Sequence, residues 1–232
     1  MILRRNATDR GHANHGWLQS AHSFSFANYY DPAHMGFGPL RVINDDHIAP
    51  GQGFGTHGHA NMEIVTYVLS GQLAHRDSLG NGSTMGYGDV QRMSAGTGVE
   101  HSEFNPSADH PVHLLQIWIM PNRAGVAPSY EQRHIRPEEK AGQWRLIASP
   151  RGEDGAVSLN QDAAIHALVV RAGDHASLAL APGRLGYVHV ATGHAVVNGQ
   201  RLAAGDALKL VDEALIEVQG GDGELLAFDL PE

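Results

Sequence analysis

Tyr67-Val-Leu-Ser-Gly71 is an apolar run closed by a glycine, and Val188-His-Val-Ala-Thr-Gly193 repeats the pattern in the second half of the chain. Two more matches follow in the same order. Gly88-Asp89 answers Gly205-Asp206, and Leu115-Gln-Ile-Trp-Ile-Met-Pro121 answers Leu225-Leu-Ala-Phe-Asp-Leu-Pro231. The first two features are separated by 17 residues in one copy and 12 in the other, a difference that loop length absorbs. Strand, glycine turn, Gly-Asp turn and a strand ending on proline point to a duplicated all-β unit of about 100 residues. A sandwich or small barrel closed by two Greek keys fits that unit.

The other apolar runs agree. Leu40–Ile43, Met62–Leu69, Val112–Met120, Ala164–Arg171, Leu185–Ala191, Ala207–Val211, Leu215–Val218 and Leu225–Leu230 are short and bounded by Gly, Pro, Asn or Asp. Their Val, Ile, Leu and aromatic content suits strands. Only Ser129–Gly142 carries Glu, Gln, Arg and Lys in numbers, and Pro137 interrupts it. A linker with one helical turn is expected there, dividing the chain into residues 1–135 and 136–232.

With 232 residues, the chain can bury roughly 70–75% of its unfolded surface and needs no disulfide or metal merely to fold. Cysteine is absent, which excludes disulfides, thiolate metal sites and a cysteine nucleophile. A formal charge of −9 with no basic run argues against direct nucleic-acid binding. No secretory leader and no apolar run of membrane-spanning length appears, so no membrane association and a cytoplasmic location are expected. Histidine, at 16 residues, is the unusual count.

Four of the chemically informative side chains are paired. In Gly51-Gln-Gly-Phe-Gly-Thr-His57-Gly-His59, the histidines are two apart. On a strand they face one way, with Cα atoms about 6.6 Å apart, and both can reach one metal. His101-Ser-Glu103 repeats the spacing. Two such strands facing each other would supply His57, His59, His101 and Glu103 as ligands. Glu63 is a rival, but on an unbroken strand it lies about 13 Å beyond His59 and would need a bulge near Ala60-Asn61. It is expected to be structural or to sit behind the ligands. A His3Glu donor set suits a divalent transition metal, Fe(II), Mn, Co, Ni, Cu or Zn, and does not itself choose among them; Fe(II) is the first expectation. His12, His15 and His22 either line a pocket or domain interface or are turn and surface residues. His75 and Asp77 read as polar strand residues, His113 as structural, and Trp118 and Phe228 as core.

Gly51-x5-His57-x-His59-x3-Glu63 resembles the first cupin motif. Gly88-Asp-Val-Gln-Arg-Met-Ser-Ala-Gly96, followed by His101-x3-Asn105, resembles the second, with Ser94 where proline is usual. Longer strings are narrower: Gly11-His-Ala-Asn-His-Gly-Trp17, His22-Ser-Phe-Ser-Phe-Ala-Asn-Tyr-Tyr-Asp31, Arg41-Val-Ile-Asn-Asp-Asp46 and Met93 through Asn105. They resemble the pirin family, in particular its bacterial quercetinase-like branch. The resemblance covers about residues 10–135; residues 150–232 are similar only to a degenerate second cupin. It implies a bicupin of two jelly-roll barrels, with the metal in the N-terminal one on three His and one Glu. The matching residues are His57, His59, His101 and Glu103. It also implies quercetin 2,3-dioxygenase activity, in which O2 opens a flavonol-like ring with loss of carbon monoxide. Glu103 would then serve as catalytic proton acceptor as well as ligand. Two other classes share the resemblance: a metal-containing regulatory protein acting through a protein partner, and a cupin isomerase or lyase that needs no O2.

Overall fold

The computed structural model describes residues 1–232 as twenty strands and three 3-10 turns, with no α-helix. No helix is long and apolar enough to cross a membrane. The first half forms two sheets. The larger has seven strands in the order Ser129–His134, Asp89–Ser94, Glu63–Ser70, Val112–Ile119, Leu40–Ile48, Leu18–His22, Gly11–Asn14. The smaller has four: Gly53–His59, Val99–Phe104, Leu73–Asp77 and Gly82–Met85. A nine-stranded sheet holds the second half and is built on two long strands, Arg184–Val197 and Leu215–Pro231.

The internal repeat is a repeat of pairing. Glu63–Ser70 lies between Asp89–Ser94 and Val112–Ile119. Arg184–Val197 lies in the same way between Ala207–Val211 and Leu215–Pro231. The glycines that close the matched runs are both left-handed, Gly71 at φ 76° and Gly193 at φ 68°. A Cβ at either would collide with backbone, of Pro111 and Asp222 respectively.

Alternation along the central strands sorts side chains between two cores. Val65, Tyr67, Leu69, Leu115, Ile117 and Ile119 join Ile147, Tyr187, Leu226 and Phe228 in a 25-residue cluster between the halves. The intervening residues face the other way. Val68, Val112 and Leu114 pack inside the first half, alongside the polar Thr66 and Gln116. The sheet is thus buried on both faces, which is why its strands read as nearly continuous apolar runs.

Three expectations change. Ser129–His134, expected in the linker, is a strand paired with Asp89–Ser94, and only Pro137–Glu139 is a helical turn. It lies at the sheet edge with one face open, so polar residues suffice. Leu215–Val218 and Leu225–Leu230 belong to one strand that continues through Gly220-Gly221. Ile2–Arg5 crosses the expected 1–135 division, pairing with Ala207–Leu210 in the C-terminal sheet. The short strands Gly82–Met85 and Asp89–Ser94 carried too little apolar signal to be read.

A buried charge crosses the junction. Lys140 has a fully buried side chain; its Nζ lies 2.6 Å from Glu224 Oε1 and donates to Tyr67 Oη at 2.8 Å. The Tyr67 hydroxyl donates in turn to Glu224, and Tyr87 donates to the other carboxylate oxygen at 3.1 Å. The ammonium sits 4.3 Å from the Tyr87 ring centroid. Removing one partner leaves the other buried and unpaired. Lys140→Met should therefore cost about 3–5 kcal/mol in urea unfolding, and adding Glu224→Gln should restore part of it. Additive losses in that double-mutant cycle would show that the pair is not coupled.

Candidate metal centre

The strand Gly53–His59 pairs with Val99–Phe104, and His57 lies directly opposite His101. The register then slips, so that Glu103 faces Phe54. One additional residue on the Gly53–His59 side makes a bulge, a device that re-aims side chains. At its end Gly53 passes so close to the Glu103 carbonyl that a Cβ would not fit. The His57 Nδ1 donates to the Gly55 carbonyl at 2.8 Å, which leaves Nε2 with its lone pair free.

Three imidazoles converge as the spacing predicts. The rings of His57 and His101 are 4.5 Å apart between centroids, His57 and His59 4.8 Å, and His59 and His101 4.9 Å. Their donor atoms lie within 4.8 Å of one another, and His57 Nε2 is 3.1 Å from His101 Nε2. Burial lowers the pKa of His101 to about 3 and of His59 to about 4, with neighbouring imidazoles adding to the effect. Both are neutral at physiological pH, the state a metal ligand requires. Imidazole nitrogens aimed at one point, one ring held from behind by a carbonyl, fit a divalent cation.

Glu103 sits beside this trio, grouped with His101 and His75 within the same 4.8 Å limit. It is 2% exposed; Thr66 Oγ1 donates to Oε1 at 3.3 Å and Gln116 Nε2 to Oε2 at 2.9 Å. Burial outweighs those bonds and raises its pKa to about 7. Glu63 goes elsewhere. It is fully buried and accepts bonds from Ser94 Oγ at 2.7 Å and from the backbone N of Asn160 at 3.1 Å. Its role is to tie the two halves together.

Two residues have closer relations to the centre than the sequence conveyed. His75, expected as a polar strand residue, is fully buried 5.4 Å from the His101 ring and hydrogen-bonded to Asp77 at 3.2 Å. Trp118, expected as core, lies edge-on to His59 at 5.0 Å and lines a cavity of about 750 Å³. His12, His15 and His22 line the same cavity, with Trp17, Phe26, Phe54 and Asp46. Phe228 is core, and His113 pairs with Asp45 at 2.7 Å outside the cavity. An i, i+2 pattern marks residues sharing a strand face, but a residue such as Trp118 gives no signal of which face is hollow.

Two half-barrels built on one strand pattern, with a histidine-lined cavity in the first, define the bicupin class. Residues 4–119 match the family described as Pirin, and residues 146–230 match the Quercetinase C-terminal cupin domain. The chain belongs to the pirin family. It is 48% identical to a protein named quercetin 2,3-dioxygenase from Escherichia coli K12, over 100% of this chain and 99% of that one. It superposes on the crystal structure of YhhW from Escherichia coli with a TM-score of 0.95 at 47% identity, covering 100% and 98% of the two chains. A structure of bacterial pirin YhhW in complex with nickel(II) aligns with a TM-score of 0.94 at 47% identity, covering 100% and 99%.

The buried carboxyl gives a pH signature in metal-free protein. A pKa raised from 4.5 to about 7 on folding means that the folded chain keeps a proton the unfolded chain has lost. Stability is lost as pH rises through that window, on the order of 3 kcal/mol. His59 and His101, with lowered pKa, act in the opposite sense, so the readout is a difference. Glu103→Gln should gain stability relative to wild type between pH 4 and pH 8 in chemical denaturation. A difference independent of pH would show that Glu103 titrates normally.

Proposed function

We propose that the chain is a metal-dependent dioxygenase of the quercetin 2,3-dioxygenase type, which opens a flavonol-like ring with O2. The observation that carries this reading is the convergence of three imidazoles at the wall of an aromatic-lined cavity, with a buried carboxyl beside them. The name of the 48% identical relative supports it. His57, His59, His101 and Glu103 would hold one divalent metal, Fe(II) being our first choice, in residues 1–135. Residues 136–232 would form a second cupin without a metal. When bound, the metal supplies Lewis acidity, which lowers the pKa of a coordinated hydroxyl.

The protein groups then have distinct tasks. Trp17, Phe26, Phe54 and Trp118 offer apolar faces to a planar ligand. Glu103, with its pKa near neutrality, takes the proton of the ligand hydroxyl. Thr66 and Gln116 fix its carboxylate, and both can keep their bonds in either protonation state.

Metal analysis of protein purified without added metal, followed by flavonol assays in air and under nitrogen, tests the reading. Flavonol should be consumed only in air. His101→Ala should lose most of its metal, whereas Glu63→Ala should keep it. Per bound metal, Glu103→Gln should be about 10²–10⁴-fold slower. Metal-loaded wild type that leaves flavonol untouched in air would sink the dioxygenase assignment, and full occupancy in His101→Ala would sink the ligand set.

A further inference from the structure

We propose that Asp46 determines which ligand the cavity accepts, its carboxylate taking a hydrogen bond from a second hydroxyl of the ligand. The inference rests on the dioxygenase reading for the ligand class, a planar hydroxylated aromatic.

Asp45 and Asp46 are neighbours on one strand and point to opposite faces. Asp45 is fully provided for: Arg10 lies 3.1 Å from Oδ2 and His113 2.7 Å from Oδ1. Asp46 lines the cavity, is 3% exposed, and its Oδ1 is buried without any hydrogen-bond partner. The polar groups around it are engaged with one another. His22 Nδ1 bonds Asn44 Oδ1 at 2.8 Å, with Ser20 Oγ 3.3 Å away. Gln116 donates to Glu103 and accepts from Thr66 at 3.1 Å. Ser20 answers part of the Asp46 carboxyl, and Oδ1 is the acceptor on this wall that the chain leaves without a donor.

A buried carboxylate oxygen without a donor is costly, and a ligand that supplies the donor recovers that cost on binding. A ligand lacking the donor leaves the oxygen unpaired and is rejected, the same logic by which hydrogen-bonding sites exclude deoxy analogues. The donor is a neutral hydroxyl rather than an ammonium. Six imidazoles line the cavity, and a bound dication would repel a cationic ligand. Asp46 and Glu103 line the same cavity, so the second hydroxyl is read in the pocket that holds the reacting end.

The test measures binding without turnover. Metal-loaded protein under nitrogen is titrated with 3-hydroxyflavone, which has one hydroxyl, and with quercetin, which has five. Quenching of Trp17 and Trp118 reports occupancy. Wild type should prefer quercetin by about tenfold or more, and Asp46→Ala should abolish the preference while binding 3-hydroxyflavone as wild type does. Asp46→Asn, which keeps the shape and an uncharged acceptor, should retain part of it. Asp46→Asn should not melt below wild type, because it keeps the shape and removes a buried charge. An unchanged preference in Asp46→Ala, equal loss of both ligands, or failure of both variants to fold would overturn the proposal. Wild type that binds neither flavonol would overturn it together with the ligand class. A preference lost in Asp46→Ala but no flavonol consumption in air would remove the dioxygenase reading alone.

Discussion

Everything in this molecule depends on a sheet that is covered twice. Glu63–Ser70 and Val112–Ile119 place one set of alternate side chains against the C-terminal half and the other set inside the N-terminal barrel. A slip of one residue in either strand would exchange the sets and put Thr66 and Gln116 into the inter-half core. Register is therefore fixed from both sides. The polar groups that orient Glu103 stand on the same strands that carry the largest apolar cluster, so rigidity at the interface is passed directly to the site.

The C-terminal half acts on the site by holding the outside of its wall. Asn160 donates to Glu63, which also accepts from Ser94, and so pins the outer face of two strands. Arg5, on the N-terminal strand that joins the C-terminal sheet, donates to the Tyr29 hydroxyl at 2.8 Å. Tyr29 lines the cavity next to Phe26, and Phe26 packs edge-on to Trp118 at 5.4 Å. The chain from Arg5 to Trp118 is a mechanical connection from one half to the aromatic wall of the other.

What the sequence revealed follows from which signals are local. The spacing of His57 with His59, and of His101 with Glu103, is set within one strand, so it predicted the convergence of the three imidazoles. The repeat was legible because left-handed glycines and apolar runs leave marks in composition. Asp46, His75 and Trp118 were illegible for a different reason. Their significance depends on which strands become neighbours: His75 matters because Leu73–Asp77 pairs with Val99–Phe104. Ser129–His134 escaped notice because a half-exposed edge strand needs no apolar face. Ile2–Arg5 pairs with residues some 200 positions away, a contact that no local pattern encodes.

The same alternation explains why His57, His59 and His101 converge inside one half of a duplicated fold while the interior of the other is filled. In the first half, the strand faces turned away from the interface carry Thr66, Gln116, Asn44 and Asp46, and the strand opposite brings His101 and Glu103. In the second half, the corresponding faces of Arg184–Val197 and Leu215–Pro231 carry Val188, Val190, Leu225 and Ala227. These pack with Leu168, Val170, Leu208, Leu210, Ile216 and Val218 into a separate apolar cluster. Apolar side chains that fill a barrel leave no room for convergent imidazoles and offer no ligand atom. His189 illustrates the consequence: it is fully buried with neither ring nitrogen bonded, and burial lowers its pKa to about 4. Its neighbours on the strand, Val188 and Val190, face the filled interior, so alternation turns His189 the other way, toward the junction, where Asp45 and Arg10 contribute to its field. The second half shares the strand order of the first and fills its interior with apolar side chains instead of polar ones.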